Sequence, residues 1–302
     1  MKKIALLGLS VLLASAGSPA RAWDALGHEV IARIAWEHMQ PETRTKAVAL
    51  LRAAPPDADL ANLSADGREL LERAATWPDI VRDEAFPERH AKYHHSDWHY
   101  TSFYWELDEA GQPRDVDRLR PQDVNIVERL QALERSVADP NRDASQRAVD
   151  LSWILHLGGD IHQPLHSSAR VTATEPEGDR GGNLFKLKGD DLHWYWDSLL
   201  SKTFRRRLFE SQEERVARVA HVIQQDHPLS SLTDRLEPGR YEKWTRAGLA
   251  TSKSFVYQGV ERGKTPSREY RKAAFAVAEP GVALAGYRLA ELLDRVLGRT
   301  TG

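Results

Sequence analysis

The 302-residue chain has no cysteine and only two methionines. Without a thiol there is no disulfide framework, no thiolate zinc or iron–sulfur site and no cysteine nucleophile, so any metal must be held by His, Asp or Glu. No apolar run reaches the roughly 20 residues that a membrane-spanning helix needs. Positive charge is not in excess either. The 42 Lys and Arg against 44 Asp and Glu give a formal charge of −2, which is not that of a basic nucleic-acid binder. What remains is a balanced composition, 41% apolar and 28% charged with nine Trp, too rich in Trp and Leu for a disordered chain. Its length suits one large core or two ordinary domains, and its 12 histidines are the natural donors for a metal.

Residues 1–22 have the pattern of a secretory signal: Lys2 and Lys3 in front, an apolar stretch over 4–13, and Ala20-Arg21-Ala22 as a small-x-small cleavage site. The apolar stretch is too short to anchor the chain in a bilayer. Cleavage would leave a mature domain over 23–302 that begins at Trp23 and is periplasmic or secreted. The lack of cysteine does not conflict with that, because an oxidising compartment permits disulfides without requiring them.

Beyond the signal, apolar residues recur with helical rather than alternating spacing over 29–39, 42–53, 66–75, 122–138, 145–161, 212–224 and 281–297. In the last of these Val282, Ala285, Leu289, Leu292, Leu293 and Val296 form one stripe, with Arg288, Glu291 and Arg295 off it, which predicts an amphipathic helix on a core. Turn signals fall at 54–59, 139–143, 172–183, 226–239 and 262–267, and only 186–189 hints at a hairpin. The expectation is a mainly α-helical protein.

The segment WILHLGGDIHQPLH, ending at His166, carries the most chemical information. His156 and Asp160 are four apart, so a helix projects both from one face toward a single ion. Pro164 should end or redirect that helix, assigning His166 to a different ion. His162 lies on another face and is expected to be a core histidine or a partner of a ligand. LHWYWD repeats the spacing with His193 and Asp197 among aromatic residues. Either pair alone is weak evidence. Two in apolar surroundings, where an unpaired charge is costly, are harder to dismiss. His28, Asp79 and His99 are further candidates that spacing alone does not separate from ordinary polar side chains, and the neighbouring His90, His94 and His95 show that not every histidine is a ligand.

These segments, in order WDALGHE, ATWPD, WHY, HLGGDIHQPLH, GGN, LHWYWD and AGYRLAELL, resemble the zinc-dependent single-strand nucleases and 3′-nucleotidases of fungi, plants and bacteria, the S-one/P-one type. The resemblance spans nearly the whole mature chain. It implies the single-domain, mainly α fold shared by zinc-dependent phospholipase C and the single-strand nucleases, with three zinc ions. One would be held by Asp79, His99, His156 and Asp160. A neighbour would share Asp160 and take His28 with the terminal amine and carbonyl of Trp23. A third would take His166, His193 and Asp197.

The implied activity is hydrolysis of single-stranded DNA and RNA, and of nucleotides with a 3′-phosphate, to 5′-phosphate products by a zinc-activated hydroxide. Asp79 would also orient the attacking water, and Arg82 would neutralise charge on phosphorus. Tyr100 would stack an unpaired base and Asn183 would contact the nucleotide. Where fungal members carry an acid three residues beyond the histidine matching His99, this chain has Ser102, so no base preference is implied. No membrane or obligate protein partner is expected. Two alternatives share these ligands: a zinc-dependent phospholipase C, which would have Glu in place of Asp197, and a non-catalytic periplasmic zinc-binding protein with closed coordination shells. Charge bears on the substrate as well. Loss of Lys2, Lys3 and Arg21 takes −2 to −5, and three divalent ions would restore about +1, concentrated where a phosphate binds.

Overall fold

The computed structural model describes residues 23–298, so the expected signal segment 1–22 lies outside the described residues. In chain order the helices are α1 (Ala25–His38), α2 (Pro41–Arg52), α3 (Gly67–Ala74), α4 (Trp77–Ile80), α5 (Pro87–Tyr93), α6 (Ile126–Ala138), α7 (Ala144–Asp160), α8 (Leu192–Asp197), α9 (Leu199–Thr203), α10 (Gln212–Asp226), α11 (Leu229–Leu232), α12 (Tyr241–Thr251) and α13 (Arg268–Leu297). The strands are β1 (Phe103–Leu107), β2 (Pro113–Asp115), β3 (Ser168–Arg170), β4 (Lys186–Leu187) and β5 (Asp190–Asp191). The fold is mainly α, as expected.

Side-chain caps set most of the long helix starts. Asp24 accepts from the Gly27 amide, Asn125 from Val127 and Glu128, Asp143 from Ser145 and Gln146, and Ser267 from Tyr270, while Ser211 and Glu214 form a reciprocal capping box. Each such cap contributes about 1 kcal/mol. The Asn125 cap also explains why the helix expected from residue 122 begins at Ile126.

α1, α7 and α13 are buried on nearly every side and form the centre on which the shorter helices pack. Five fully buried tryptophans, Trp23, Trp77, Trp105, Trp153 and Trp196, belong to the same apolar cluster. α1 and α13 approach closely at Gly286, where a Cβ would lie 2.5 Å from Ile34 Cβ. Gly286→Ala should therefore destabilise the protein by about 1–3 kcal/mol through overpacking. A urea titration would read this as a lower midpoint with an unchanged slope.

α13 differs from its expected form in two respects. It starts at Arg268 and runs through Pro280, because the carbonyl that proline deprives of a partner, that of Ala276, belongs to an exposed residue open to water. Arg288 is buried rather than solvent-facing, because the segment after α10 folds over it. Its guanidinium donates to the Leu236 and Arg235 carbonyls at 3.0 and 2.6 Å, meets His162 Nε2 at 2.8 Å and stacks 4.4 Å from the Trp244 ring.

The hairpin expected at 186–189 is present as β4–β5. The second sheet, in order β2-β1-β3, has no expected counterpart. It pairs β1 with β3 in parallel, Phe103 opposite Ser168 and Trp105 opposite Arg170, and the Thr101 amide donates to the His166 carbonyl at 2.8 Å. The sheet thus ties the chain after His99 to the chain after His166.

Candidate metal centre

Six short pieces of backbone bring the polar cluster together. α1 presents His28, α4 presents Asp79, the 3₁₀ turn Ser96–His99 ends in His99, and α7 carries His156 and Asp160 one turn apart. After α7 the chain reverses at Gln163 and Pro164 into a second 3₁₀ turn, Pro164–Ser167, that holds His166. α8, capped by Asp191, holds His193 and Asp197 on one face. The four-residue spacing therefore does what helical geometry requires in both places, and Pro164 redirects the chain as expected.

Asp160 is at the centre and fully buried. Its Oδ1 lies 3.3 Å from His28 Nε2, and its Oδ2 lies 3.0 Å from His99 Nδ1 and 3.2 Å from His156 Nε2. The His28 and His156 rings stack at 4.0 Å, and Asp79 brings a carboxylate oxygen within 4.8 Å of ligand atoms of both. Asp79 thus neighbours His28 as well as His156, and the two ion sites implied by the resemblance form one continuous cluster. Next to it, His166 Nε2 and His193 Nε2 face each other at 3.1 Å, with Asp197 3.5 Å from His193 and 3.9 Å from His166.

The tautomers are fixed by backbone. His156 Nδ1 donates to the Ala75 carbonyl, His166 Nδ1 to that of His99 and His193 Nδ1 to that of Gly181, at 2.8, 2.7 and 2.7 Å. In their neutral forms His166 and His193 therefore each present a bare Nε2 lone pair. Two lone pairs at 3.1 Å repel unless a cation lies between them, and zinc with bonds of 2.0–2.1 Å in a tetrahedral shell separates two nitrogens by roughly 3.3 Å. His28 Nε2, His99 Nε2, Asp160 Oδ1 and Asp197 Oδ2 are buried without hydrogen-bond partners, a costly arrangement unless an ion satisfies them. The donor set, all nitrogen and oxygen, fits a divalent cation of zinc type.

Titration behaviour points the same way. Burial opposes ionisation of Asp160, yet His156, His166 and His28 hold its carboxyl well below the usual range. Burial pushes His99 down to about 4 and His193 down to about 3, and lowers His28 and His166. These four rings are neutral at pH 7 and their lone pairs are free. His156 is raised, because Asp160 and Asp79 outweigh its burial. Burial drives Asp197 well up, and the hydrogen bond from Gln163 only partly offsets this; a cation beside it would bring it back to carboxylate.

Linkage follows from the depressed histidines. Unfolded His takes up protons near 6.5 while folded His99 and His193 do so only near 4 and 3. The unfolded state binds more protons in that window, so stability falls as pH drops. Between pH 6.5 and pH 4 these two rings should lower the melting temperature of the cation-free protein as pH drops, the raised His156 and Asp197 offsetting part of the fall. Scanning calorimetry in chelator checks this, and a flat profile below pH 6.5 would contradict it.

The remaining candidates lie around the cluster. Arg82 donates through Nη1 to Asp79 Oδ1 at 2.8 Å and is mostly buried. Tyr100 follows His99 with an exposed ring, Ser102 is half-buried, and Asn183 closes its own loop by donating to the Arg180 carbonyl at 2.7 Å. Trp23 is fully buried and donates from its indole to the Gly159 carbonyl. His162 stands apart, tied to Gly158 and Arg288, which makes it a structural histidine. His90 contacts the Arg82 carbonyl and His95 stacks on Trp98. Sequence reasoning gave no role to Gln163, whose amide donates to Asp197 Oδ1 at 2.6 Å while its carbonyl oxygen accepts from Leu165. A buried amide beside a ligand histidine was the available signal. Among the described residues no helix is long and apolar enough to cross a membrane.

A family model for S1/P1 nuclease matches residues 23–298. Endonuclease 2 of Arabidopsis thaliana is 25% identical over 98% of this chain and 97% of its own length, and Endonuclease 1 of the same plant is 25% identical over 96% and 92%. Nuclease P1 of Penicillium citrinum is 22% identical over 59% of this chain and 58% of its own. Matched from its first described residue to its last, the chain belongs to the S1/P1 nuclease family and is a hydrolytic phosphodiesterase.

Proposed function

We propose that this enzyme is a zinc-dependent endonuclease and 3′-nucleotidase, exported and trimmed to begin at Trp23, which cuts single-stranded DNA and RNA to 5′-phosphate products with three zinc ions. The observation that carries the reading is the convergence of buried ligand atoms: His166 Nε2 on His193 Nε2, and three imidazoles on the two oxygens of Asp160. Asp79, His99, His156 and Asp160 would hold one ion; His28, Asp160 and the Trp23 terminus a second; His166, His193 and Asp197 the third. A bound divalent ion supplies Lewis acidity and brings the pKa of a water near neutrality.

The side chains provide the rest. Asp160, whose two oxygens face His28 on one side and His99 and His156 on the other, would compensate the charge of both ions held there. Asp79, whose carboxyl is held below its usual range by His156 and Arg82 among its neighbours despite its burial, would accept a hydrogen bond from a water and so orient it. Arg82 uses Nη1 on Asp79 and keeps further guanidinium donors for an equatorial phosphoryl oxygen. The exposed ring of Tyr100 is suited to an unpaired base, whose face a duplex hides. Ser102 and Asn183 are proposed as further contacts to the nucleotide.

The test is zinc content of the mature protein together with product analysis on single-stranded DNA, RNA and phosphatidylcholine. Three zinc per chain, 5′-phosphate ends and no lipid cleavage are expected; one zinc with no turnover would overturn the reading. Arg82→Gln should lower kcat by about 10²-fold with zinc content unchanged, measured by steady-state kinetics beside elemental analysis.

A further inference from the structure

The chain after α12 does not end its helix. It widens into a π-helical turn, Ser252–Val256, closed by Tyr257. Such turns are rare and cluster at functional sites. This one is buried at Ser252, Val256 and Tyr257 and is joined by hydrogen bonds to the turn that holds His166, to the loop whose Gly181 carbonyl orients His193, and to α8, which carries His193 and Asp197.

The first link is direct. Ser252 Oγ donates to the Pro164 carbonyl at 3.0 Å, at the head of the turn that holds His166. The second passes through a buried acid. Tyr257 Oη donates to Asp179 Oδ2 at 2.6 Å, and Asp179 Oδ1 accepts from the Arg170 amide at 2.9 Å. Two residues on, the Gly181 carbonyl accepts the Nδ1 proton of His193. That carbonyl is aimed by a strained backbone: Arg180, Gly181 and Gly182 have φ of 55°, 61° and 82°, and a Cβ on Gly181 would stand 2.4 Å from the Leu165 carbonyl oxygen. Burial raises the Asp179 carboxyl, a group that is costly to bury, and what it secures is this loop. The third link reaches α8. The Val256 carbonyl accepts from Tyr270 Oη at 2.6 Å, and Tyr270 Oη accepts from Trp196 Nε1 at 3.0 Å, one residue before Asp197.

The wide turn has a geometric reason. In an α-helix residues five apart point about 140° away from each other, so Ser252 and Tyr257 would face different surroundings. The i to i+5 bonding of a π turn brings such residues toward one side. From there Ser252 reaches the turn that holds His166, and Tyr257 reaches Asp179 in the loop whose Gly181 carbonyl accepts from His193.

We infer that the turn Ser252–Val256 with Tyr257 is a positioning device for the cation held by His166, His193 and Asp197, with one hydrogen-bonded link to the His166 turn, one to the loop that orients His193 and one to α8. The inference rests on the three-zinc reading above. Ser252, Tyr257 and Asp179 touch no cation; they act through the orientation of the ligands, as outer partners of metal sites do.

The test compares the zinc-loaded full protein with Tyr257→Phe, Ser252→Ala and Asp179→Asn. Tyr241→Phe is the control: this buried hydroxyl donates to Glu134 at 2.8 Å, outside the three segments. Zinc per chain is followed against increasing chelator, with the melting temperature recorded for each variant. In Tyr257→Phe and Ser252→Ala one zinc of three should leave at about 10- to 100-fold lower chelator, the other two staying as in the wild type. Tyr241→Phe should lower the melting temperature and leave all three retention steps in place. Asp179→Asn, acting on the His193 side alone, should reproduce Tyr257→Phe. Unchanged retention in Tyr257→Phe and Ser252→Ala, or an equal loss in Tyr241→Phe, overturns the inference. A wild type that never holds three zinc overturns the functional reading itself, so the two failures are told apart by the protein in which they occur.

Discussion

Asp160→Asn leaves a folded protein with about one zinc per chain and activity reduced by three orders of magnitude or more. The substitution keeps the shape of the side chain and one oxygen, and removes a charge that nothing else in the cluster supplies. Both oxygens of Asp160 are engaged, one toward His28 and the other toward His99 and His156. The three rings are neutral or share their proton with this carboxylate, so the two ions assigned here depend on it for compensation. Two divalent charges against Asp79 alone would repel strongly at the 3.5–4 Å expected of a two-metal site. The third ion keeps His166, His193 and Asp197, which explains the remaining stoichiometry. Elemental analysis and kcat on single-stranded DNA check this together. Retention of three zinc would show that Asp160 does not join two sites.

The same geometry explains what was legible in the sequence. The seven segments with helical apolar period are helices, α6 and α13 with other starts than expected, while α12 was not foreseen. His156 with Asp160 and His193 with Asp197 were readable because a helix converts a spacing of four into a shared face. His28, Asp79 and His99 were not, since they reach Asp160 from α1, α4 and a 3₁₀ turn across distances of chain that no local pattern encodes; the family motifs carried them. The sheet β2-β1-β3 was missed because its strands have three to five residues and its parallel pairing joins segments about 65 apart. The first part of α13 was missed because its apolar stripe is clear only over 281–297, and Pro280 sits inside the helix rather than at its start. Gln163 went unassigned because a ligand's partner has no spacing of its own. The π turn is still less visible, since Ser252 and Tyr257 sit in an unremarkable run and gain meaning only from Pro164 and Asp179.

The second large effect concerns Trp23. Its side chain is fully buried, its indole donates to the Gly159 carbonyl beside Asp160, and the amide of the next residue, Asp24, donates to the carbonyl of Asp197 at 3.0 Å. The chain therefore enters the fold between the two halves of the cluster, with His28 one helical turn and a half further on. An α-amine and its own carbonyl oxygen make a five-membered chelate that an internal residue, whose nitrogen is an amide, does not offer. A protein produced with one or more residues ahead of Trp23 should therefore bind about two zinc instead of three and lose activity by at least about 10²-fold, while its apolar core and thermal unfolding in chelator match those of the trimmed form. Removal of the extra residues by a protease should restore both zinc and rate in the same sample. Because fold and remaining ligands are common to the two forms, recovery on trimming isolates the amine as the missing donor. Equal zinc and equal rate before and after trimming would remove Trp23 from the centre and leave His28 and Asp160 to hold their ion with solvent alone.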